Sequence, residues 1–545
     1  MKLLWISRLG YPCSYSYVSE GLLPFLVPDY DLYVFCTGIV HTEESRDKIA
    51  KQFKLSLDKV FIINKRLNNS DLAEDQEYFA NYFFGIYHLE QIIRQVQPNI
   101  ILSIDDNIAL ERQWTLIRST SWCFDFEFIP YMTVDIANLP NRPNSPNIFN
   151  LYPVKRILTM TNFAEQEIYK VSPKISVCIL PHIVDPAIFH QLPNKKELQN
   201  KWLNDDTSFV IGSINANNTR KRWDILLDSF FKFAQTHDNV ILLIKTTYLK
   251  PQRNFGLVPC SEYDLEQLIL ETCQKYQLTT SKIKIFDKEL SNVELNELYN
   301  CCDLGLSTTS GEGWGLTPCE MALCKIPQLV PEWSSFPNIF PKSQGLMQVR
   351  EYPLYVGREY RNSPETLKDK FIAIIKTYIY HESITSEVDN INLTDEIATI
   401  CISPNASNLQ YSLNIKLLAH FGEIVQAIEF IQKYKFPDRF QILLGLDKDF
   451  LTKEVRNLDK LYEIFQENRR INYLLSPEIL RKYWDLSLGS VGLVSVNTVV
   501  NTLEKFYKSS ELRKSEGEYQ YDEIYKICNP NIIVKKLHKY ITDPI

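Results

Sequence analysis

Short apolar runs alternate with longer amphipathic stretches from the N-terminus to Val349. The runs, such as Lys2–Ser7 and Asp31–Cys36, are too short for helices that cross a core, so they predict buried strands. The intervening stretches, such as Ser19–Leu26 and Tyr78–Val96, have apolar residues at helical spacing. Strands and helices in alternation predict α/β folding around parallel sheets.

The predicted strands form two groups. The first group is Lys2–Ser7, Asp31–Cys36, Lys59–Ile63, Asn99–Ser103, Ile129–Val134 and Ile175–Leu180. The second group is Phe209–Ile214, Val240–Ile244, Ile283–Phe286, Leu304–Leu306, Gln328–Val330 and Gly345–Val349. We therefore expect two doubly wound, Rossmann-like domains, with a boundary near residue 190 in the polar segment Gln191–Asn204. The loop after the first strand lacks G-x-G-x-x-G, which disfavours a nicotinamide or flavin dinucleotide.

A glycine-rich turn follows the strand Leu304–Leu306. Its three glycines, Gly311, Gly313 and Gly315, predict positive φ angles and close approach of the backbone to a ligand. A helix is expected next, with Thr317 as N-cap, Pro318 at the first helical position and Glu320 as the capping-box partner.

The turn and the helix start also predict a ligand. Free N–H groups at a helix N-terminus can hold a phosphate, whereas Glu312 and Glu320 repel one and suit hydroxyl groups instead. Together they indicate a ligand with both phosphate and sugar. Taken singly, Glu320 is explained as a capping residue and Glu312 as a solvated loop carboxylate.

The segment EGWGLTPCEMALCKIP resembles the donor-site signature of retaining GT-B glycosyltransferases, particularly family 4. The resemblance implies that Glu312 meets hydroxyls of the donor sugar and that Glu320 binds the ribose of the nucleotide. Lys325 departs from the family pattern, which usually has a helix-ending glycine there. The resemblance also implies donor contacts from the intervening positions, namely Gly311, Gly313, Trp314, Gly315, Leu316 and Thr317.

Adjacent cations, Arg220 and Lys221, lie where the strand Phe209–Ile214 leads towards a helix. Such cations suit a diphosphate, because they neutralise charge on a leaving group. The resemblance implies that both contact the donor diphosphate, so that neither a metal nor a further cofactor is required. The alternative is that the pair is solvated on the surface.

Aspartates follow two strands of the first group. Asp105 and Asp106 suit a turn or a helix cap, whereas Asp135 matches the position of a family His or Asp on the acceptor side of the cleft. His182, in a segment similar to the family's linker between domains, and Asp303 are expected to be structural.

Composition excludes several classes of protein. The 545 residues carry a net charge of −7 without a basic block, which does not indicate nucleic-acid binding. The 12 cysteines are scattered without a metal-ligand pattern, as free thiols in a reducing, cytoplasmic compartment would be. The uncharged stretches Ile397–Ile415 and Leu486–Leu503 are too polar for membrane spans, and peripheral membrane contact stays open.

The expected domains are an acceptor domain at 1–190, a donor domain at 191–375 and an extension or insertion at 376–545, which includes an apolar run at Phe440–Gly445 and closing helices within Leu512–Tyr540. As the resemblance implies, the expected activity is sugar transfer from a nucleoside diphosphate sugar to a glycan, lipid or protein acceptor. The alternatives are a GT-B sugar-nucleotide epimerase or hydrolase, and a non-catalytic binding module built on a relic donor domain.

Overall fold

A computed structural model describes residues 1–10, 13–38, 41–63, 81–139, 154–250, 263–353 and 490–543. Met1–Glu351 and Val491–Ile545 form one compact unit, to which the description below applies. Tyr352–Ser490 form a second unit. The run Phe440–Gly445 and most of the expected extension lie outside the described residues.

The first sheet has seven parallel strands in the spatial order β3-β2-β1-β4-β5-β6-β7. Leu3 of the first strand pairs with Leu32 on one side and with Ile100 on the other. The order of the strands reverses between β1 and β4, which is where doubly wound domains bind ligands. The strands are β1 (Lys2–Ser7), β2 (Asp31–Cys36), β3 (Val60–Ile62), β4 (Ile100–Asp105), β5 (Glu127–Met132), β6 (Arg156–Thr159) and β7 (Ser176–Ile179).

The second sheet has six strands in the order β10-β9-β8-β11-β12-β13. Its central strands are almost wholly apolar, because helices cover both faces of a parallel sheet. The six strands are β8 (Phe209–Ile214), β9 (Val240–Lys245), β10 (Ile283–Phe286), β11 (Leu304–Leu306), β12 (Gln328–Pro331) and β13 (Leu346–Met347). Two further strands, β14 (Val349–Pro353) and β15 (Ser490–Val494), pair with each other and are not part of this sheet.

Helices follow most strands of both sheets, so the predicted fold of two doubly wound, Rossmann-like domains is confirmed, with further helices after β15. No described helix is long and apolar enough to cross a bilayer. The helices are α1 (Ser14–Leu26), α2 (Glu43–Gln52), α3 (Ile86–Val96), α4 (Asn107–Ser119), α5 (Asn162–Val171), α6 (Lys195–Leu203), α7 (Trp223–Ala234), α8 (Leu265–Tyr276), α9 (Asn292–Asn300), α10 (Leu316–Leu323), α11 (Phe336–Ile339), α12 (Val496–Lys508), α13 (Ser510–Cys528) and α14 (Pro530–Thr542).

The last two helices contact different domains. In α13, the buried Gln520 amide accepts from the backbone N–H of Gln328 at 2.6 Å and donates to its carbonyl at 3.0 Å. At the C-terminal end of α14, Arg156 of the first domain donates to the carbonyl oxygens of Tyr540 (2.6 Å) and Asp543 (2.8 Å). The C-terminal segment therefore passes from the second domain back to the first.

The helix expected over Tyr78–Val96 is interrupted. Residues 81–83 are helical, the chain turns at Phe84 and Gly85, where Gly85 has a left-handed φ of 72°, and α3 then begins at Ile86; Tyr78 itself lies outside the described residues. The polar segment Gln191–Asn204, in which the domain boundary is expected, contains helix α6. This helix is bound to the second domain through Lys195, whose ammonium group donates to Asp303 at 2.6 Å.

Candidate functional site

The glycine-rich turn between β11 and α10 lies against the first domain. A Cβ atom on Gly311 would meet the carbonyl oxygen of Asp135 at 2.0 Å, and one on Gly313 would meet the Thr133 Cβ at 3.1 Å. Only Gly315 has a positive φ, of +100°, so the prediction of positive φ is wrong for the other two glycines. Gly311 and Gly313 are needed for the close approach of two backbones.

The predicted capping box at the start of α10 is wrong. The N-cap is Gly315, and no side chain caps the helix. The left-handed turn at Gly315 directs the chain into the helix at Leu316, so Thr317 is already helical, and its hydroxyl lies near that of Tyr299. Glu320 likewise accepts from the Tyr299 hydroxyl, at 2.5 Å, rather than from the N-cap backbone.

Glu312 is buried between two cations. Its Oε2 atom lies 2.7 Å from Arg220 Nη1, and its Oε1 atom is bound by Lys221 Nζ. Burial alone would raise the pKa of this carboxyl, but Arg220 and Lys221 outweigh it and lower the pKa to about 2. The backbone N–H of Glu312 donates to Ser334 Oγ at 2.9 Å, which fixes the turn. The alternative of a solvated loop carboxylate is therefore wrong.

The two cations lie in a short 3₁₀ helix, Thr219–Lys221, in which the Asn218 side chain accepts from the Lys221 N–H at 3.2 Å. The Lys221 side chain is 14% exposed, and burial lowers its pKa against the pull of Glu312. Arg220 also donates to the Gly311 carbonyl. The alternative of a solvated surface pair is wrong, because both cations are bound within the cleft.

Asp135 extends the network into the first domain. It follows strand β5, and its Oδ2 atom lies 3.2 Å from Arg220 Nε. Burial raises the pKa of Asp135, against the pull of the Arg220 guanidinium, and nearby Glu312 raises it further. Arg220 and Lys221 thus bind Glu312 of their own domain, and Arg220 also binds Asp135 of the first domain. A diphosphate could replace a carboxylate as a partner of these cations, and the displaced carboxylate would then need other hydrogen-bond donors.

Glu320 has a different environment from Glu312. Burial raises its pKa to about 7, and the hydrogen bond from Tyr299 opposes the shift. Trp314, expected to contact the donor, has a buried side chain that packs edge-on against His182 with ring centroids 6.0 Å apart. Leu316 is half-buried at the start of α10. The structure thus brings Glu312, Arg220 and Lys221 together, whereas Glu320 sits apart from the ion-pair network with Tyr299.

Two side chains of the first domain make contacts near the cleft that the sequence did not predict, namely Arg8 and Tyr15. Arg8, immediately after β1, donates to the buried Asp105 at 3.2 Å and to Asp106 at 2.6 Å. Burial raises the pKa of Asp105 to about 7 against the pull of Arg8, and Asp106 also caps α4, as predicted for these aspartates. The position of Arg8, a charged residue directly after the apolar strand β1, could have indicated this contact. Tyr15, bonded to Thr133 at 3.1 Å, offered no such signal.

His182 is buried and shares a hydrogen bond of 2.8 Å with the Tyr131 hydroxyl, and burial lowers its pKa to about 3. Asp303 accepts from the Val210 N–H at 2.8 Å. Both residues therefore have the structural contacts expected of them. Within the described ranges, no group of three His, Cys, Asp or Glu side chains is arranged to hold a metal ion.

No family model and no curated protein sequence matches this chain. Among solved structures, the chain is similar to the Anabaena protein HepE in complex with UDP and glucose (14% identity, 62% of this chain and 83% of that chain, TM-score 0.44). It is also similar to a sucrose-phosphate synthase from Thermosynechococcus elongatus (11%, 64% and 86%, 0.46) and a glycosyltransferase from Rickettsia africae (15%, 80% and 98%, 0.45).

Proposed function

We propose that this protein is a retaining, metal-independent glycosyltransferase that moves a sugar from a nucleoside diphosphate sugar to a hydroxyl-bearing acceptor. The observation that carries the proposal is the burial of Glu312 between Arg220 and Lys221, beside the start of α10. Retention and family 4 membership are supported by the resemblance of EGWGLTPCEMALCKIP to the donor-site signature.

In this proposal the donor diphosphate binds Arg220 and Lys221 and releases Glu312 from one of them. The cations then stabilise the charge that grows on the leaving group as the glycosidic bond breaks, the role that a divalent ion has in other sites. The backbone of Gly311–Gly315 orients the donor.

Released from one cation, Glu312 can accept hydrogen bonds from hydroxyls of the donor sugar. Asp135 lies at the first domain's side of the same network, where it can orient an acceptor hydroxyl. The leaving diphosphate takes the proton of that hydroxyl, so that the new glycosidic bond and the leaving group form without a dedicated base. Glu320 binds the ribose hydroxyls.

The domain limits 1–190, 191–375 and 376–545 belong to the same proposal. The first domain supplies Asp135 and the acceptor side, and the second supplies Glu312, Glu320 and the cations. Peripheral membrane contact and a glycan, lipid or protein acceptor are consistent with this arrangement, as is a cytoplasmic location.

The experiment is a calorimetric and thermal-shift screen of UDP-, GDP- and ADP-sugars in the presence of a metal chelator. We expect one donor to stabilise the wild-type protein, because a ligand that binds only the folded state raises its apparent stability. Lys221→Met should lose this shift. Lys201→Met, which removes an ion pair with Glu297 outside the cleft, is the matched control and should keep it.

Product analysis separates the alternatives. Transfer with retained anomeric configuration, detected by NMR, supports the proposal. Rapid release of free sugar in the absence of acceptor would indicate a hydrolase. Conversion of the nucleotide sugar into its epimer would indicate an epimerase. If no nucleotide sugar stabilises the wild-type protein at millimolar concentration, the enzyme proposal is wrong and a binding module is indicated.

A further inference from the structure

The Glu320 carboxylate, half-buried on α10, has a sparse set of partners. Its Oε2 atom accepts from the Tyr299 hydroxyl at 2.5 Å. In the parts of the chain that the structure describes, no Lys, Arg or His lies within ion-pair distance of Glu320, and Oε1 accepts no hydrogen bond. A half-buried carboxylate oxygen that no protein group binds is available to a hydrogen-bond donor of a ligand.

Tyr299 holds its hydroxyl in one place. The side chain on α9 is fully buried, and its ring packs against Phe189 with centroids 5.8 Å apart. The Thr317 hydroxyl on α10 lies near the phenol oxygen. The phenol donates its proton to Glu320 Oε2. Tyr299 therefore orients the carboxylate through this oxygen and leaves Oε1 unbound.

We propose that Tyr299 is the positioning residue for ribose recognition: it binds Glu320 Oε2 and thereby leaves Oε1 directed at the ribose hydroxyls of the nucleotide. This inference rests on the proposed function and adds a residue to it. Thr317 then belongs to the site through its contact with Tyr299 rather than as a helix cap.

The charge state of Glu320 supports this role. Burial raises its pKa to about 7, and the Tyr299 hydrogen bond acts in the opposite direction by stabilising the ionised form. The other titratable groups near Glu320 are Tyr17 on α1 and the thiols of Cys319 and Cys324. None of them is a cation, so loss of the Tyr299 hydroxyl should raise the pKa of Glu320 above about 7.

The test compares binding of UDP, GDP and ADP, and of the 2′-deoxy form of whichever binds best, by calorimetry between pH 6 and 9. We expect the wild-type protein to prefer the ribonucleotide by about tenfold, as for one hydrogen bond to a charged group. Its affinity should fall by up to about tenfold for each pH unit below the pKa of Glu320.

Tyr299→Phe keeps the ring packing and removes the hydroxyl. We expect it to bind the ribonucleotide about tenfold more weakly at pH 7.5, to lose the preference over the deoxynucleotide, and to shift the pH midpoint of binding upwards. Glu320→Gln should remove the pH midpoint altogether. The matched control is Tyr30→Phe, which removes a hydroxyl bonded to His538 at 3.0 Å and should change neither quantity.

The outcomes are distinct. If a nucleoside diphosphate binds but Tyr299→Phe keeps the wild-type preference and pH midpoint, the positioning role is wrong and the proposed function stands. If none of the three binds the wild-type protein, both are wrong. If Tyr299→Phe does not fold, Thr317→Val tests the inference instead. We expect Thr317→Val to shift the pH midpoint of binding upwards by less than Tyr299→Phe would. An unchanged midpoint overturns the inference.

Discussion

The Nε atom of Arg220 lies 3.2 Å from the Oδ2 atom of Asp135, so a cation of the second domain is bound by a carboxylate of the first. The same guanidinium binds Glu312 at 2.7 Å. One side chain therefore serves two carboxylates. A diphosphate that takes Arg220 as its partner weakens both ion pairs, which links donor binding to the contact between the domains.

Glu312→Gln should separate nucleotide binding from sugar transfer. The substitution removes the carboxylate that competes for Arg220 and Lys221, so we expect the nucleoside diphosphate to bind about as tightly as to wild type or up to about tenfold more tightly. Transfer should fall by about 100-fold or more, because the sugar hydroxyls lose a charged acceptor and keep only a neutral amide oxygen. Calorimetry with the nucleoside diphosphate and a transfer assay measure the two effects.

The matched control for this prediction is Glu297→Gln, which removes an acceptor of Lys201 (2.5 Å) and Trp202 (3.0 Å) in the same domain. It should leave affinity and transfer at wild-type values. Loss of nucleotide affinity in Glu312→Gln would contradict the assignment of Glu312 as a competitor of the diphosphate.

Glu312 and Glu320 should give opposite dependences of stability on pH. The folded-state pKa of Glu312 is about 2, below the value of about 4.3 in an unfolded chain, so its stabilisation is present above about pH 4.3 and lost as the pH falls towards 2. The folded-state pKa of Glu320 is about 7, so the folded protein retains a proton that the unfolded chain releases, and stability falls as the pH rises from about 4.3 to 7.

Glu320→Gln should therefore stabilise the protein at pH 8 by up to about 3 kcal/mol and leave its stability near pH 4.3 almost unchanged. The amide oxygen can still accept from Tyr299, which keeps the packing. Urea unfolding of both proteins at the two pH values measures the difference. An equal effect of the substitution at both pH values would show that desolvation of the carboxylate is not its cause.

Gly311→Ala should disturb the contact between the domains more than Gly313→Ala does. The added Cβ would lie 2.0 Å from the Asp135 carbonyl oxygen, a backbone atom that cannot turn aside, whereas at Gly313 it would lie 3.1 Å from the Thr133 side chain. We expect a loss of about 2 kcal/mol or more for the first variant and less than about 1 kcal/mol for the second. Equal unfolding free energies in the two variants would count against the observed approach.

Lys325→Gly should be close to neutral for stability. Lys325 has a φ of 60°, and relief of this left-handed strain is worth about 1 kcal/mol. This gain in stability is offset by the loss of a partly exposed ion pair with Glu518 (2.8 Å) and of the contact with the Tyr521 ring. Lys325→Ala, which loses these contacts and keeps the strain, is the control and should be less stable than Lys325→Gly in thermal unfolding.

The same position shows why a departure from a motif need not change the fold. Lys325 adopts the left-handed conformation that a helix-ending glycine would adopt. Its side chain is held by α13, and Gly517 of that helix allows an approach so close that a Cβ there would lie 2.3 Å from the Lys325 carbonyl oxygen. The contacts that hold Lys325 come from a helix almost two hundred residues later, which no local pattern could indicate.

The sequence by itself determined the strands and therefore the fold class. Phe209–Ile214 and Leu304–Leu306 begin and end where the apolar runs do, because a strand buried on both faces needs a nearly continuous apolar segment. The grouping of Glu312, Arg220 and Lys221 as one candidate site was likewise available from motif order.

Only the tertiary structure decided which partners these side chains have. The capping box at Thr317 and Glu320 satisfies every local rule, yet the Tyr299 hydroxyl of another helix donates to Glu320, and Gly315 is the N-cap in place of Thr317. Gly311 is required by the backbone of Asp135, not by its own φ. Local sequence encodes hydrophobic period and turn chemistry, whereas partners brought together by folding leave no mark at a fixed spacing along the chain.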